Sequence, residues 1–209
     1  MLPFRRGAPS REPLTLPLFP LKTVLFPGGL LPLKVFEQRY IDMTKRCIQD
    51  EKPFGVCLLT RGEEVARRGG SDPPEFALVG TLARITSWDM PQLGILQLKT
   101  EGGGRFQVQS HHTADDGLVL AQATAILPEP KMALPEMHQP LAALLELMIN
   151  RVGREHFAGE ALDDASWVGY RLAELLPLPA NIKQSMLEIN DSEVRLTAIA
   201  QFLKQQDLL

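Results

Sequence analysis

Two turn segments carry the side chains best suited to binding in this sequence. Trp88, Met90 and Leu93 fall between two predicted strands, where a turn normally has small polar residues. Phe26 stands at the end of a short apolar run, just before a Pro-Gly-Gly turn. Aromatic and methionine side chains either pack into a core or, when exposed, contact other apolar surfaces. The pattern favours core packing for both segments and leaves a protein- or peptide-contacting surface as the alternative.

Polar residues with catalytic potential lack the spacing that catalysis needs. The GxxxxGK motif of a nucleotide-binding P-loop does not occur. Ser71 lies in a near miss to the GxSxG nucleophile elbow, because Pro73 replaces the last glycine and no strand-turn-helix pattern surrounds it. We therefore expect no catalytic residue, and a hydrolase with an unrecognised site ranks behind the binding functions.

Ligands for a metal ion are equally sparse. His111 and His112 precede Asp115 and Asp116, and imidazole with carboxylate suits zinc. A solvated polar turn at the end of a strand has the same composition, and no HExxH or similar ligand spacing occurs. The sequence therefore predicts neither a metal nor another cofactor.

The cysteines and the apolar segments bear on the compartment. Cys47 and Cys57 cannot build a disulfide framework, and each lies in an apolar pattern where a thiol stays protonated and inert. The apolar stretch over residues 14–35 is broken by prolines and glycines, so it cannot form a membrane-spanning helix. No small-residue cleavage site of a signal peptide follows the first arginines. We expect a cytoplasmic protein with reduced cysteines and no membrane contact.

Charge and composition describe an ordinary folded chain. Lys and Arg number 22 and Asp and Glu number 25, which gives a formal net charge of -3, and 44% of the 209 residues are hydrophobic. Such a chain can bury a core of one large or two small domains. It lacks the basic field that collects phosphate backbones, so nucleic-acid binding is not expected.

Strand patterns dominate the first part of the chain. Residues 1–13 form a loose tail without periodicity, and residues 14–127 form a β-rich domain. Its one helix covers residues 37–49, where apolar side chains recur along one helical face. The clearest hairpin joins alternating strands at 96–99 and 106–109 through the glycines at 102–104. These patterns predict a closed or nearly closed β-structure.

Helical patterns dominate the rest of the chain. Four prolines make residues 128–140 a linker, and residues 141–209 form a helical subdomain. Its first helix has an apolar stripe over residues 141–152, and the next begins at Asp163 or Asp164. A short helical piece covers residues 182–189, and Asp191 caps the last helix. The strand-then-helix order predicts an α+β fold.

The opening LPLFPLKTVLFPGGLLPLKVFEQRY, residues 16–40, resembles the start of the amino-terminal substrate-binding domain of ATP-dependent Lon proteases. The likeness continues through PFGVCLL, VGTLARI and GGGRFQV, and ends with NIKQSMLEINDSEVRLTAIAQFL at residues 181–203. This ordered set of motifs covers most of the chain and is more specific than any single motif. The chain resembles a free-standing Lon amino-terminal domain.

The resemblance implies both a fold and a function. The implied fold is a β-barrel-like domain of the pseudouridine-synthase and archaeosine-transglycosylase (PUA-like) type, followed by a C-terminal helical bundle. The implied function is a non-catalytic module that binds unfolded or partly folded polypeptides, or a protein partner, with possible self-association. The ATPase and protease modules of a complete Lon are absent from this sequence. RNA binding, which the same barrel type supports in other proteins, is the alternative function.

Four residues match the signature of the family at the start of its helix. They are Phe36, Glu37, Arg39 and Tyr40. We expect mainly structural roles for them, with Tyr40 packed inward and the charged pair tying the helix start to neighbouring turns. The hypothetical binding residues stay Phe26 and the three apolar side chains of the segment 88–93.

Overall fold

The computed structural model describes residues 13–64, 74–157 and 159–206. The expected tail, apart from residue 13, and Ser71 lie outside these residues. The six strands are β1 (Leu14–Leu21), β2 (Leu30–Val35), β3 (Phe54–Arg61), β4 (Glu75–Gln92), β5 (Ile95–Thr113) and β6 (Val119–Ala125). The five α-helices are α1 (Gln38–Gln49), α2 (Gln139–Val152), α3 (Ala165–Leu175), α4 (Ala180–Glu188) and α5 (Ser192–Gln205), and short 3-10 helices cover Glu136–His138 and Arg154–His156.

The strands form one mixed sheet in the order β2-β5-β4-β3-β1-β6, and β5 also pairs with β6. Five strands are thereby joined in a closed circuit, with β2 attached to β5 outside it. β1 and β3 are parallel, and the other pairs are antiparallel. Phe106 is fully buried, and a Cβ on Gly55 or Gly80 would come within 2.6 or 2.7 Å of its ring. The two glycines make room for this ring.

Helix α1 covers one face of the sheet. Its buried side includes Tyr40, Ile41, Met43 and Cys47, which pack with strand residues in one apolar cluster. The ring of Tyr40 stacks on that of Phe19, with centroids 3.9 Å apart. The predicted helix is therefore confirmed, because its apolar periodicity matches the face that the sheet buries.

Helices α2 to α5 share a core with the sheet. The largest apolar cluster contains Leu145, Leu172 and Leu196 from these helices together with Phe26 and Leu58 from the β-rich part. Two predicted helix starts are confirmed. The Asp164 carboxylate accepts a hydrogen bond from the Trp167 amide at 2.8 Å, and Asp191 accepts from the amides of Glu193 and Val194.

The predicted hairpin at the glycine run is wrong. Residues 102–104 lie inside the single long strand β5, and the chain reverses between Gln92 and Ile95, where Gly94 has a φ of 81°. A Cβ on Gly102 would overlap the carbonyl oxygen of Phe26, and the Gly102 amide donates to the Gly29 carbonyl at 2.8 Å. The run is glycine-rich because another backbone approaches it closely. In the sequence alone, glycines required for close approach look the same as glycines required for a turn.

The architecture is thus a mixed sheet with one helix in the β-rich part and four helices after it. No helix among the described residues is long and apolar enough to cross a membrane. The division into residues 14–127, 128–140 and 141–209 stays a prediction, as do the PUA-like and helical-bundle classifications.

Candidate functional site

The end of the β4–β5 strand pair presents three large apolar side chains to solvent, two of them in β4 and one in the turn that follows. Trp88 is 53% exposed, Met90 is 37% exposed and Leu93 is 93% exposed. We call these three residues the hairpin tip. The expectation that they pack into the core is wrong, because β4 runs on past its last pair with β3 at Ala83 and residues 84–92 pair only with β5. β2 still pairs with β5 as far as Leu96, but no described strand borders β4 there, so the end of the β4–β5 pair projects beyond its neighbours.

Phe26 is removed from the candidate binding residues. It is fully buried, and its ring centroid lies 5.9 Å from that of Tyr170 on α3. The helices that follow the sheet cover it, so it contributes to the core and is not accessible to another molecule. The core-packing interpretation of this segment is the one that the structure supports.

The signature residues surround the start of α1. Tyr40 is buried, which raises the pKa of its hydroxyl to about 12. The Arg39 guanidinium donates to the Gly117 carbonyl at 2.7 Å, pairs with Glu37 at 3.1 Å and lies over the Tyr40 ring. These contacts join α1 to the turn before β6. Phe36 differs from the other three, because half of its surface is exposed beside β2.

Neither thiol is placed for nucleophilic chemistry. Burial raises the pKa of Cys47 to about 11 and that of Cys57 to about 12. A thiol with such a pKa is almost entirely protonated at neutral pH and is a weak nucleophile. Within the described ranges, no group of three or more His, Cys, Asp or Glu side chains is arranged to hold a metal ion.

A buried charge cluster, which sequence reasoning missed, ties the sheet to the helices. Glu129 follows β6, and its carboxylate accepts hydrogen bonds from Arg195, Tyr170 and Ser166. Arg105 of β5 lies 3.5 Å from the same carboxylate and donates to the Leu187 carbonyl at 2.7 Å. Burial by itself would raise the pKa of Glu129, but these hydrogen bonds and the charge of Arg195 hold it below its usual range. No local motif signals the cluster, because its members come from four distant segments.

A groove of about 580 Å³ opens where β3 begins, between β1, β6 and the end of α1. Most of its lining is apolar and includes Leu14, Leu16, Met43, Leu118 and Leu120, with Arg46 and Lys52 among the polar lining residues. Sequence reasoning did not find this groove. The feature that would have indicated it is the difference in length between neighbouring strands, and that difference can be recognised only when the strand pairing is known.

The family follows from comparison with known proteins. The model of the ATP-dependent protease La (LON) substrate-binding domain matches residues 15–205. This chain belongs to that family. The Lon protease of Anaeromyxobacter dehalogenans is 26% identical over 214 residues, which cover 93% of this chain and 23% of that protein. Protein cereblon of Danio rerio is 30% identical over 134 residues, covering 59% of this chain and 30% of cereblon.

Two solved structures of Lon N-terminal domains share the fold of this chain. The Lon N-terminal domain protein from Xanthomonas campestris is 37% identical with a TM-score of 0.75, and the match covers 90% of this chain and 98% of that chain. The N-terminal domain of Mycobacterium avium complex Lon protease matches with a TM-score of 0.58 at 16% identity, which shows the fold alone. The chain spans about a quarter of the length of the Lon proteases it matches.

Proposed function

We propose that this Lon-type domain is a non-catalytic module that binds unfolded or partly folded polypeptides through its hairpin tip. The observation that carries the proposal is the exposure of Trp88, Met90 and Leu93 together at the end of one strand pair. Exposed apolar side chains that cluster in this way mark surfaces that bind other apolar groups. Met90, two residues from Trp88 along β4, suits varied sequences, because the flexible thioether adapts to different side chains. Membership of a substrate-binding family supports the same class of ligand.

A non-enzymatic role agrees with the region that the comparisons match. The matched family is the substrate-binding domain of the protease, and the described residues offer neither an activated thiol nor a metal site. We therefore expect the purified 209-residue chain to show no ATP hydrolysis and no ATP-stimulated proteolysis. Steady turnover that survives further purification would contradict this part of the proposal.

Binding at the hairpin tip is expected to be weak and tolerant of sequence. Burial of about 400 Å² of apolar surface gives roughly 10 kcal/mol at about 25 cal/mol/Å². Association and ordering of a flexible peptide cost about 4–15 kcal/mol, so a single site should bind in the roughly micromolar to millimolar range. Stronger retention would come from several linked sites, through self-association or a protein partner.

The test is a titration of a denatured model protein against the wild-type chain and a Trp88→Ala, Met90→Ser double variant. The variant should bind at least about tenfold more weakly, because it truncates two of the three apolar side chains at the tip. A Leu127→Ala, Leu147→Ser variant is the matched control, since both leucines are exposed and lie outside β4 and β5, after β6 and on α2. Equal binding by the tip variant and the wild type would remove the tip from the mechanism. No binding at millimolar peptide would remove the polypeptide-binding function itself.

The alternative of RNA binding gains no support. The curated relatives named above are a Lon protease and cereblon, and the net charge of -3 offers no general attraction for phosphate. A shift of RNA mobility that disappears with added salt would favour this alternative.

The proposal also covers the fold and the location of the protein. The closed circuit of strands would be a PUA-like barrel, α2 to α5 would be a helical bundle, and the protein would be cytoplasmic.

A further inference from the structure

Two strand edges end beside the same opening in the sheet. β1 pairs with β3 only from Leu18 onward, so residues 14–17 pair with β6 alone. β4 pairs with β3 only as far as Ala83, so residues 84–92 pair with β5 alone. Within residues 13–64, 74–157 and 159–206, no other strand covers these two edges. Pro17 and Pro91 have no N–H, and the Met90 N–H already donates to the Asp89 carboxylate at 2.8 Å. The other main-chain groups along these edges are available to a further strand.

The opening lies where β3 would continue if it were longer. Leu18 of β1 pairs with Gly55 on one side and Leu82 of β4 pairs with it on the other. β1 and β4 therefore lie on the two sides of the place where β3 would continue. Pro53 precedes the strand and has no N–H to donate, and the chain turns away there towards α1. A strand position is left vacant at this end of the sheet, and residues 14–17 alone offer about 13 Å of edge to it.

The groove of about 580 Å³ adjoins the end of this position nearest β3, along the free edge of β1, and reaches β4 at Leu82, just before its free edge begins. Leu14, Leu16 and Leu82 line it from the two bordering strands, and Leu118 and Leu120 line it from β6. An extended segment placed here would have main-chain partners at its sides and apolar surface for its side chains. This combination suits an extended polypeptide better than a compact small molecule, because backbone pairing supplies affinity and pockets take alternate side chains.

Charge distinguishes one end of the groove. Lys52 adjoins Pro53, at the end where β3 begins, and Arg46 lies in the last turn of α1. Both are exposed, and Lys52 pairs with Asp50 at 3.8 Å. The three charged lining residues thus carry a formal charge of +1, which favours a carboxylate on the occupant.

We propose that the vacant position binds the carboxyl-terminal end of an extended apolar polypeptide. The segment would run in the direction of β3, parallel to β1 and antiparallel to β4, with its terminal carboxylate near Lys52 and Arg46. This proposal deepens the proposed function and rests on it. The edge of β4 leads from the groove to the hairpin tip, so one client could contact both.

The test uses a nine-residue peptide in which leucine and valine alternate with threonine, labelled at its amino terminus and ending in a free carboxylate. Fluorescence anisotropy should show binding that weakens at least about tenfold when alternate amides are N-methylated, because methylation removes donors but keeps the side chains. Amidation of the carboxyl terminus should weaken binding by about threefold. Arg46→Glu should abolish that preference for the free carboxylate. Lys45→Glu, on the same helix and outside the groove lining, should keep it.

The outcomes separate this proposal from the proposed function. Persistence of the methylation effect in the Trp88→Ala, Met90→Ser variant would support strand addition at the groove. Equal binding of methylated and unmethylated peptides would overturn it, while the proposed function would stand if the tip variant still weakened binding. Failure of every peptide to bind at millimolar concentration would overturn both. A dimer of the unliganded chain that Arg46→Glu dissociates would place a second copy in the groove and also overturn the proposal.

Discussion

Glu129 shows how much a single buried side chain can contribute to this fold. Its carboxylate is almost completely buried between Arg195 and Arg105, and both guanidinium groups are also buried. Charges removed from water are tolerated only when they are paired and hydrogen-bonded. The cluster therefore depends on the carboxylate that all its members share.

We predict that Glu129→Gln lowers the free energy of unfolding by about 3–5 kcal/mol, because it leaves two buried guanidinium groups without a counter-charge. Urea denaturation followed by circular dichroism measures this loss. Glu146→Gln is the control, since Glu146 pairs with Arg154 at an exposed position and should change stability by at most about 1 kcal/mol. Similar losses in the two variants would contradict a special role for Glu129.

Glu129 also predicts a dependence of stability on pH. Burial tends to raise its pKa, but hydrogen bonds from Arg195, Tyr170 and Ser166 hold the folded-state pKa below the unfolded value. A carboxylate whose pKa is lower in the folded state than in the unfolded state stabilises the fold. This contribution is fully present above the unfolded-state pKa, about 4.3, and is lost as pH falls through the folded-state pKa. The stability difference between wild type and Glu129→Gln should therefore narrow in acid. Urea midpoints of both proteins, measured from neutral to acidic pH, test this, and a constant difference would contradict it.

At the scale of elements, β5 depends on the close approach of a second backbone. The Gly102 amide donates to the Gly29 carbonyl, and the Gly28 amide donates to the Gly102 carbonyl at 2.7 Å. These bonds join the middle of β5 to the turn that follows Phe26. A side chain at position 102 would enter the space that this turn occupies.

We predict that Gly102→Ala lowers the free energy of unfolding by about 2 kcal/mol or more, because its Cβ would overlap the Phe26 carbonyl oxygen. Gly104→Ala, two residues along the same strand, is the matched control. Nothing lies within 4 Å of a Cβ there, so stability should change by no more than about 0.5 kcal/mol. Thermal melts of the two variants compare them directly. Equal tolerance at both positions would show that the turn can move away from β5.

At the scale of the whole molecule, the helices and the sheet are held by shared contacts. Gln184 of α4 donates to the Val79 carbonyl at 3.0 Å, and Arg171 of α3 donates to the Pro27 carbonyl at 2.8 Å. Phe26 and Leu58 contribute to the apolar cluster of the helices. Separation of the two parts would expose apolar surface and leave buried polar groups without partners.

We therefore predict that a fragment starting near Pro135 does not fold alone. It should aggregate or show a broad, non-cooperative thermal transition, because the buried faces of α2 and α3 lose part of their cover. Circular dichroism and size-exclusion chromatography measure both properties. A cooperative melt of the isolated fragment would show that the helical part is an independent domain.

Local patterns in the sequence determined much of this protein. The apolar face of α1, the caps of α3 and α5 at Asp164 and Asp191, and the burial of both cysteines follow from neighbouring residues. The ordered motifs also identified the Lon substrate-binding family, because each motif keeps its place along the chain. Helix periodicity and capping involve residues a few positions apart, so the sequence carries them directly.

Only the tertiary structure decided which apolar residues reach the surface. Phe26 is buried because helices far along the chain cover it, as the Arg171 bond to Pro27 across 144 positions illustrates. Trp88 is exposed on the part of β4 that extends past Phe54, the first residue of β3. The same difference in strand length leaves the vacant strand position. The glycine run could serve a turn or a close approach equally well until the pairing of β5 was known. Burial, strand length and the Glu129 cluster depend on contacts between distant segments, for which a single sequence has no local signal.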